Sequence, residues 1–357
     1  MNIKPLVIGN LVAKLPIVQG GMGVGVSLSN LAGAVAAAGG IGVISSAQIG
    51  FLEEDFLTNT VEANIRALKK HIKIAKEKAK GGIIGVNIMV ALTNYNKYVE
   101  AAIEGGADII ISGAGMPTSL PKIAKAKDSN VKLAPIISSL KGAKVLLKLW
   151  DRHNNVTPDM LVIEGPKAGG HLGFSKDKLE DDIKNFDNTI PEILNEVKIY
   201  EEKYNKKIPV VVAGGVFDGF DIAKYLKLGA SGVQMATRFV GTFECDASDE
   251  YKNSYINCQE EDIAIVSSPV GMPGRAILNK FAKTSKTGKI PVTYCYNCLT
   301  PCNPKDTPYC ISKALINAVQ GNLDEGLLFC GSNAYKVNKL VSVQELMNEL
   351  QDEILSV

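Results

Sequence analysis

The sequence predicts an α/β protein built on a TIM (β/α)8 barrel with a C-terminal, partly helical extension. Short β-branched runs alternate with longer amphipathic stretches, eight such runs can be counted, and most of them end in glycine or polar residues. Alternation of this kind indicates repeated βα units and a parallel sheet. In a barrel the carboxyl ends of all strands meet at one mouth, where active sites form. The strand ends therefore also predict where the site lies.

Each predicted element follows from this alternation. The predicted strands cover residues 17–19, 42–45, 83–89, 108–112, 132–137, 160–164, 209–213 and 232–236. The predicted helices between them cover residues 28–38, 61–80, 95–104, 120–126, 143–151, 188–204 and 221–228. Periodicity does not separate a closed barrel from an open doubly wound sheet, but a count of eight strands favours the barrel.

We expect the barrel to cover residues 1–262 and the extension to cover residues 263–357. The boundary lies just after a predicted helix at 249–259. The extension holds a segment at 266–275, a cysteine-rich loop at 295–310 and predicted helices at 311–320 and 343–355. Because about 250 residues suffice for a barrel of this type, we expect the remainder to pack over its mouth or side.

Composition narrows the partners and the compartment. A formal net charge of +2 gives no reason to expect nucleic acid or an anionic membrane as a partner. No apolar run is long enough to cross a bilayer, and the first residues lack the pattern of a secretory signal peptide. We therefore expect a cytoplasmic protein whose seven cysteines serve mostly as thiols or metal ligands.

The last two predicted strands end in residues suited to a phosphate group. The first ends in a glycine pair, and the second ends in a residue with a hydroxyl group. Glycine allows backbone N–H groups to approach an oxyanion without a Cβ atom in the way. Loops after the last two strands form the usual phosphate site of a barrel, although glycines needed only for tight turns are the alternative. The candidates are Ala213, Gly214, Gly215, Gln234, Ala236 and Thr237.

Other strand ends offer groups for a flat ring. Backbone and a methionine side chain after the first strand can lie against an apolar ring, and an amide in the third strand can bind a polar edge. Residues 20–25 resemble the G-x-G-x-x-G fingerprint of dinucleotide-binding folds only superficially. The candidates are Gln19, Gly20, Gly21, Met22, Asn87, Ser112 and Glu164.

His171 is the candidate for a catalytic role. It lies in the run Gly169-Gly170-His171-Leu172-Gly173, just after the sixth predicted strand. Packing explains a histidine between glycines poorly, and titration near neutral pH suits a histidine to proton transfer or to polarising an oxygen. A local role in stapling the loop is the alternative. His71 and His153 lie in polar stretches and are expected at the surface.

Six motifs occur in a fixed order along residues 14–280. They are Pro16-Ile17-Val18-Gln19-Gly20-Gly21-Met22, Gly85-Val86-Asn87-Ile88-Met89, Ser112-Gly113-Ala114-Gly115, the block from Glu164 to Gly173, Ala213-Gly214-Gly215 and Ala236-Thr237-Arg238-Phe239. Together they resemble the nitronate monooxygenase family, formerly called 2-nitropropane dioxygenases. The Ala-Gly-Gly-His-Leu-Gly piece of the fourth motif is the most specific part of the resemblance.

The resemblance implies a flavoprotein with non-covalent FMN and places His171 beside the substrate. A member of this family would oxidise an alkyl nitronate with O₂ to a carbonyl compound and nitrite. A sister group with similar motifs, the flavin-dependent enoyl-acyl-carrier-protein reductases, implies NAD(P)H and an acyl-thioester substrate instead. A non-catalytic flavin-binding barrel is a third alternative, and a homodimer is compatible with all three. The residues implied around the flavin are Gly21, Met22, Asn87, Gly170, Gly214, Gly215, Ala236 and Thr237.

Four cysteines in the extension depart from these motifs. Cys295, Cys298, Cys302 and Cys310 lie within 16 residues of one another. Their spacing is compatible with four thiolate ligands for an iron–sulfur cluster or for zinc. Reduced thiols in a packed loop and a disulfide are the alternatives that stay open.

Two further features depart from the family pattern, and one residue after the barrel has two alternative roles. Pro166-Lys167 stands where the resemblance implies an acidic residue, and the acidic stretch 177–187 does not fit the plain pattern. Arg275, which follows the barrel, is expected either to reach an anion of the substrate or of FMN, or to form an exposed ion pair.

Overall fold

The computed structural model describes residues 1–269, 271–300 and 302–357. Val270, in the predicted segment 266–275, and Pro301, in the cysteine-rich loop, lie outside the described residues. The strands are β1 (Leu6–Ile8), β2 (Leu11–Ala13), β3 (Ile17–Gln19), β4 (Ile41–Ser45), β5 (Ile83–Met89), β6 (Ile109–Gly113), β7 (Lys132–Ile137), β8 (Leu161–Glu164), β9 (Gly170–His171), β10 (Val210–Ala213), β11 (Gly232–Met235), β12 (Ile263–Ser267) and β13 (Pro273–Ile277).

The helices alternate with these strands through most of the chain. They are α1 (Ser29–Ala37), α2 (Thr60–Lys78), α3 (Tyr95–Glu104), α4 (Leu120–Ala126), α5 (Leu140–Asn154), α6 (Leu179–Tyr204), α7 (Gly219–Lys227), α8 (Thr237–Val240), α9 (Asp249–Ile256), α10 (Lys280–Thr287), α11 (Ile311–Val319) and α12 (Val343–Leu355). Helix α10 was not predicted from the sequence.

Eight parallel strands close into a barrel, which confirms the predicted fold class. Strands β3 to β8 pair in chain order, β10 and β11 continue the sheet, and β11 pairs with β3 to close it. The closing register places Met235 beside Gln19. The observed bounds of these strands differ from the predicted bounds by no more than one residue.

The barrel strands are buried on both faces. Val18, Val43 and Ile109 belong to an apolar cluster inside the barrel, while other residues of the same strands pack against the helices. Burial on both faces explains why these strands are continuous apolar runs in the sequence. The hairpin of β1 and β2 adds fully buried Leu6 and Ile8 to the inner cluster. It was not predicted, because strands of three residues carry too short a pattern.

A small antiparallel sheet beside the barrel mouth holds the predicted catalytic residue. Its strand order is β12-β13-β9, and Gly274 lies opposite His171. The described residues of the predicted segment 266–275 include the paired ends of β12 and β13, and β13 is the strand partner of the short β9. The sequence pattern gave no indication of this pairing, which joins residues about a hundred positions apart.

The end of the extension returns to the barrel wall. Helix α12 packs against α1 and α7. Glu353 accepts a hydrogen bond of 2.6 Å from the backbone N–H of Gly219, and Arg238 forms an ion pair of 2.7 Å with Glu349. The predicted domain boundary after residue 262 stays a prediction. These contacts show that residues after the boundary pack against barrel residues before it.

Most of the acidic stretch 177–187 lies in the first part of α6, the longest helix among the described residues, and its first two residues belong to a 3-10 turn before that helix. Glu180, Asp181 and Asp182 lie in its first turn, where the positive end of the helix dipole stabilises carboxylates. The predicted helix at 188–204 is thus the second part of a helix of 26 residues. Within the described residues, no helix combines the length and the apolar character needed to cross a membrane.

Candidate active site

A cavity of about 460 Å³ opens at the carboxyl ends of the barrel strands. Its walls come from strand ends that are far apart in the sequence, as the barrel topology requires. The volume lies in the range of small-molecule and cofactor sites. Most of the predicted site residues line it, namely Gly20, Gly21, Met22, Asn87, Glu164, Gly169, Gly170, His171, Ala213, Gly214, Gly215, Gln234, Ala236 and Thr237.

Gln19 and Ser112, although predicted for the site, are not among the residues that line the cavity. The Gln19 amide joins two strands, because its Nε2 donates to the Val43 carbonyl at 3.1 Å and its Oε1 accepts from the Val43 N–H at 3.0 Å. The Ser112 hydroxyl donates to the Ile88 carbonyl at 2.8 Å and contacts the Tyr95 hydroxyl at 2.8 Å. Both polar side chains are fully buried and their groups bond within the protein, so contact of Gln19 and Ser112 with a cofactor stays a prediction that these side chains do not support.

The glycine pair after β10 has a conformation that side chains rarely adopt. Gly214 has φ +92° and Gly215 has φ +86°. A Cβ atom on Gly214 would lie 2.7 Å from the Gly165 carbonyl oxygen, and one on Gly215 would lie 2.9 Å from the Lys167 side chain. Only glycine fits here without moving its neighbours, and the backbone of this strand end is exposed to the cavity.

His171 lies in the cavity wall and is held from two sides. Its Nε2 atom forms a hydrogen bond of 2.5 Å with the Ser268 hydroxyl, and its ring contacts the Phe329 ring edge-on at a centroid distance of 5.2 Å. Burial lowers the pKa of His171 to about 4, because the charged imidazolium loses its hydration. The imidazole is therefore neutral at neutral pH.

Glu164, at the end of β8, is the second titratable group of the cavity. Burial raises its pKa to about 7, because a carboxylate is disfavoured away from water. His171 and Glu164 thus shift in opposite directions for the same reason. Between about pH 4 and pH 7 the His171 imidazole and the Glu164 carboxyl group are therefore both mostly uncharged.

Arg275 lies beneath the loop that carries His171. Its side chain is 5% exposed, and its Nη1 atom donates to the carbonyl oxygens of Pro166 and Ala168. Burial lowers its pKa. Arg275 is not among the residues that line the cavity, and the described residues give it no ion pair. The prediction of an exposed ion pair for Arg275 is therefore wrong, because the residue is buried and fixes the loop. Contact of Arg275 with an anion stays a prediction.

Part of the cavity wall was missed by the sequence analysis. It comes from the extension and from α9, and neither region follows a barrel strand. Only the Gly-Ser-Asn run at 331–333 offered a signal, as a turn pattern. The missed lining residues are Tyr251, Tyr255, Met272, Leu315, Phe329, Cys330, Gly331, Ser332 and Asn333.

The structure does not support the predicted metal site in the cysteine-rich loop. Across the described ranges, no group of three or more Cys, His, Asp or Glu side chains is arranged to hold a metal ion. All four cysteines are free thiols; Cys295 is exposed, while Cys298, Cys302 and Cys310 are half-buried. The loop is fixed by backbone hydrogen bonds to the chain after β5, in which the Thr93 N–H donates to the Cys298 carbonyl and the Thr300 N–H donates to the Ala91 carbonyl.

Comparison with known proteins gives the same assignment as the motifs. The nitronate monooxygenase family matches residues 4–353. A probable nitronate monooxygenase of Staphylococcus saprophyticus is 27% identical, over 79% of this chain and 80% of that protein. A Mycobacterium tuberculosis (3aS,4S,5R,7aS)-5-hydroxy-7a-methyl-1-oxo-octahydro-1H-indene-4-carboxyl-CoA dehydrogenase is 28% identical, over 76% of this chain and 66% of that protein.

Structural comparison agrees on the fold. The structure of FabK from Thermotoga maritima superposes with a TM-score of 0.71 at 24% identity, over 96% of this chain and 93% of that chain. At this identity the likeness is one of fold. Since the family match covers nearly the whole sequence and the glycine-rich cavity carries its motifs, the chain belongs to the nitronate monooxygenase family and is an oxidoreductase of the flavin-dependent kind.

Proposed function

We propose that this protein is an FMN-dependent nitronate monooxygenase, which oxidises alkyl nitronates with O₂ to a carbonyl compound and nitrite. The observation that carries the proposal is the neutral state of His171 in the cavity wall. A base with a pKa of about 4 removes a proton from a neutral nitroalkane poorly. An alkyl nitronate has already lost that proton, so a neutral imidazole that binds its oxygen atoms suffices.

The residues of the cavity fit FMN. Gly214 and Gly215 line the cavity without a side chain, and backbone N–H groups at such a strand end can bind an oxyanion. Gln234 and Ser332 line the cavity, and among the described residues their Oε1 and Oγ atoms are buried without a hydrogen-bond partner, which is rare for buried polar atoms. Gly214, Gly215, Ala236 and Thr237 would hold the phosphate, and Gly21, Met22, Asn87 and Gly170 the ring. Bound FMN would supply the two-electron redox chemistry.

The charge state of the cavity suits an anionic substrate. Glu164, with its pKa of about 7, is largely neutral below neutral pH and does not repel a nitronate there. His171 is fixed by Ser268 through Nε2, which sets the orientation of the imidazole. These two residues would position the substrate.

A second function, reduction of an enoyl thioester with NAD(P)H, is favoured by Glu164. Reducing a carbon–carbon double bond requires a proton as well as a hydride. A buried carboxyl group with a pKa of about 7 is a proton source at neutral pH. The M. tuberculosis relative is named for a CoA thioester, which accords with this alternative.

Anaerobic reduction of the FMN-loaded protein separates the two functions. We expect an alkyl nitronate to bleach the flavin absorbance rapidly, and NADH or NADPH to have no effect. Replacement of His171 by Ala should lower the rate of bleaching roughly 100-fold, because it removes a hydrogen-bonding group from the nitronate oxygens, and should leave FMN bound. Bleaching by NAD(P)H alone would establish the reductase, and bleaching by neither would leave a flavin-binding barrel without this redox chemistry.

A further inference from the structure

A short loop of the extension lies against the glycine-rich strand ends. This extension loop (residues 330–333) makes three polar contacts with the barrel mouth. The Gly331 N–H donates to Thr237 Oγ1 at 2.9 Å, and Asn333 Nδ2 donates to the Gly215 carbonyl at 2.8 Å. The Ser332 N–H donates to the Lys167 carbonyl at 3.2 Å. The loop thus joins the ends of β10 and β11 to the loop that follows β8.

Contact with Thr237 requires glycine in the extension loop. A Cβ atom on Gly331 would lie 2.6 Å from Thr237 Oγ1, so any larger residue would separate the loop from the end of β11. The close approach means that the loop and the strand ends form one continuous wall.

Ser332 has a hydroxyl group that the protein itself does not use. Ser332 lines the cavity, and its Oγ atom is buried and has no hydrogen-bond partner in the part of the chain that the structure describes. The neighbouring backbone groups of the extension loop do have partners, so the free hydroxyl is not the result of a loosely packed loop. Since leaving a buried hydroxyl without a partner is destabilising, an external acceptor at this position would be stabilising.

A cationic side chain lies next to the same strand end. The stem of Lys167 packs over Gly215, where a Cβ atom would lie 2.9 Å from Lys167 Cβ and 3.0 Å from its Cδ. Lys167 also lines the cavity. The residue stands where the family resemblance implies an acidic side chain, so this chain carries a positive charge beside its glycine pair.

From these contacts we propose that the extension loop completes the phosphate subsite, with the Ser332 hydroxyl donating a hydrogen bond to the FMN phosphate. The proposal rests on the FMN-dependent function proposed above. Gly214 and Gly215 would hold the phosphate from the barrel side and Ser332 from the extension side. Retention of the cofactor then depends on residues of the extension, although the barrel strand ends alone carry the family's glycine motif.

The test compares FMN with riboflavin, which lacks only the phosphate. Both are titrated into apoprotein, and binding is followed by quenching of flavin fluorescence. We expect the wild-type protein to prefer FMN, and Ser332→Ala to weaken FMN binding roughly tenfold or more with little change for riboflavin. Ser332→Thr, which keeps the hydroxyl, should restore most of the preference, and far-UV circular dichroism verifies the fold.

Ser46→Ala is the matched control. Ser46 Oγ is likewise buried without a hydrogen-bond partner, but Ser46 is not among the cavity-lining residues, so both Kd values should stay as in the wild type. If Ser332→Ala keeps the wild-type ratio of the two Kd values, the loop proposal is overturned and FMN binding stands. If the wild-type protein binds neither flavin, the proposed function fails and the loop proposal fails with it.

Discussion

The barrel mouth and the cysteine-rich loop can be compared directly, because the sequence predicted a ligand site in each of them. At the mouth, residues from the ends of all eight barrel strands converge on one cavity. In the loop at 295–310, four cysteines within 16 residues do not form a metal-binding group among the described residues. The cysteines, which are close together in sequence, therefore did not form the predicted site. The strand-end residues, which are far apart in sequence, did come together.

The difference has a topological cause. A closed parallel barrel brings every carboxyl strand end to the same edge, whatever the lengths of the helices between them. An irregular loop sets no such condition, since each thiol must also point toward a common centre at a fixed distance. The four predictions below test this contrast, from the largest expected effect to the smallest.

Replacing Gly214 by Ala should remove most of the FMN from the purified protein. The added Cβ meets the Gly165 carbonyl at 2.7 Å, and φ +92° is strained for alanine. We expect the ratio of flavin to protein absorbance to fall at least tenfold, since strain and clash together amount to about 2–4 kcal/mol.

Gly106→Ala separates the clash from the strain. Gly106 has a similar φ of +86° but no atom within 4 Å of the added Cβ. Its flavin content should match that of the wild-type protein. Equal flavin loss in both variants would show that backbone strain anywhere destabilises the barrel, and that the mouth is not special.

Replacing Arg275 by Met should destabilise the protein while leaving FMN affinity nearly unchanged. The carbonyl oxygens of Pro166 and Ala168 would lose their donor, which costs about 2 kcal/mol or more. Urea unfolding measures the loss, and Arg275→Lys should recover part of it through one remaining donor. A drop in FMN affinity as large as that of Gly214→Ala would mean that Arg275 acts on the cofactor directly.

The sequence predicted features that depend on local patterns, and it did not predict those that depend on contacts between distant segments. Strands of the barrel were predicted to within one residue, because both their faces are apolar and their ends are marked by glycine or polar residues. The roles of Gln19 and Ser112 were not foreseen, since a polar residue at a strand end looks the same whether it faces the cavity or a neighbouring strand. Ser332 was missed because its position depends on a long-range docking of the extension, which local patterns do not encode.

Glu164 and His171 predict opposite pH dependences of stability in the apoprotein. The pKa of Glu164 rises from 4.5 to about 7 on folding, so the folded state binds more protons between these values and stability falls as pH rises. The pKa of His171 falls from 6.5 to about 4, so stability rises with pH across that window. In the wild-type protein the two slopes largely cancel.

A substitution at either residue should reveal the pH dependence of stability that is due to the other residue. Glu164→Gln leaves the His171 effect, so the thermal midpoint should increase between pH 4.5 and pH 6.5 by about 2–4 °C relative to the wild-type protein. His171→Asn leaves the Glu164 effect and should give a decline over the same range. Parallel profiles for the two variants would contradict the opposite shifts inferred for the cavity.

The smallest effect is expected in the cysteine-rich loop, where chemical labelling distinguishes exposed from buried thiols. Cys295 is exposed and should react first with a maleimide in the native protein. Burial raises the pKa of Cys245 to about 12 and that of Cys298 to about 11. Because the thiolate is the reactive form, both should react far more slowly, Cys245 only after unfolding. Cys295→Ser should leave flavin content unchanged. If instead Cys295 reacted with the maleimide only after a chelator was added, the loop would hold a metal. The spacing of the four cysteines would then have predicted the site correctly.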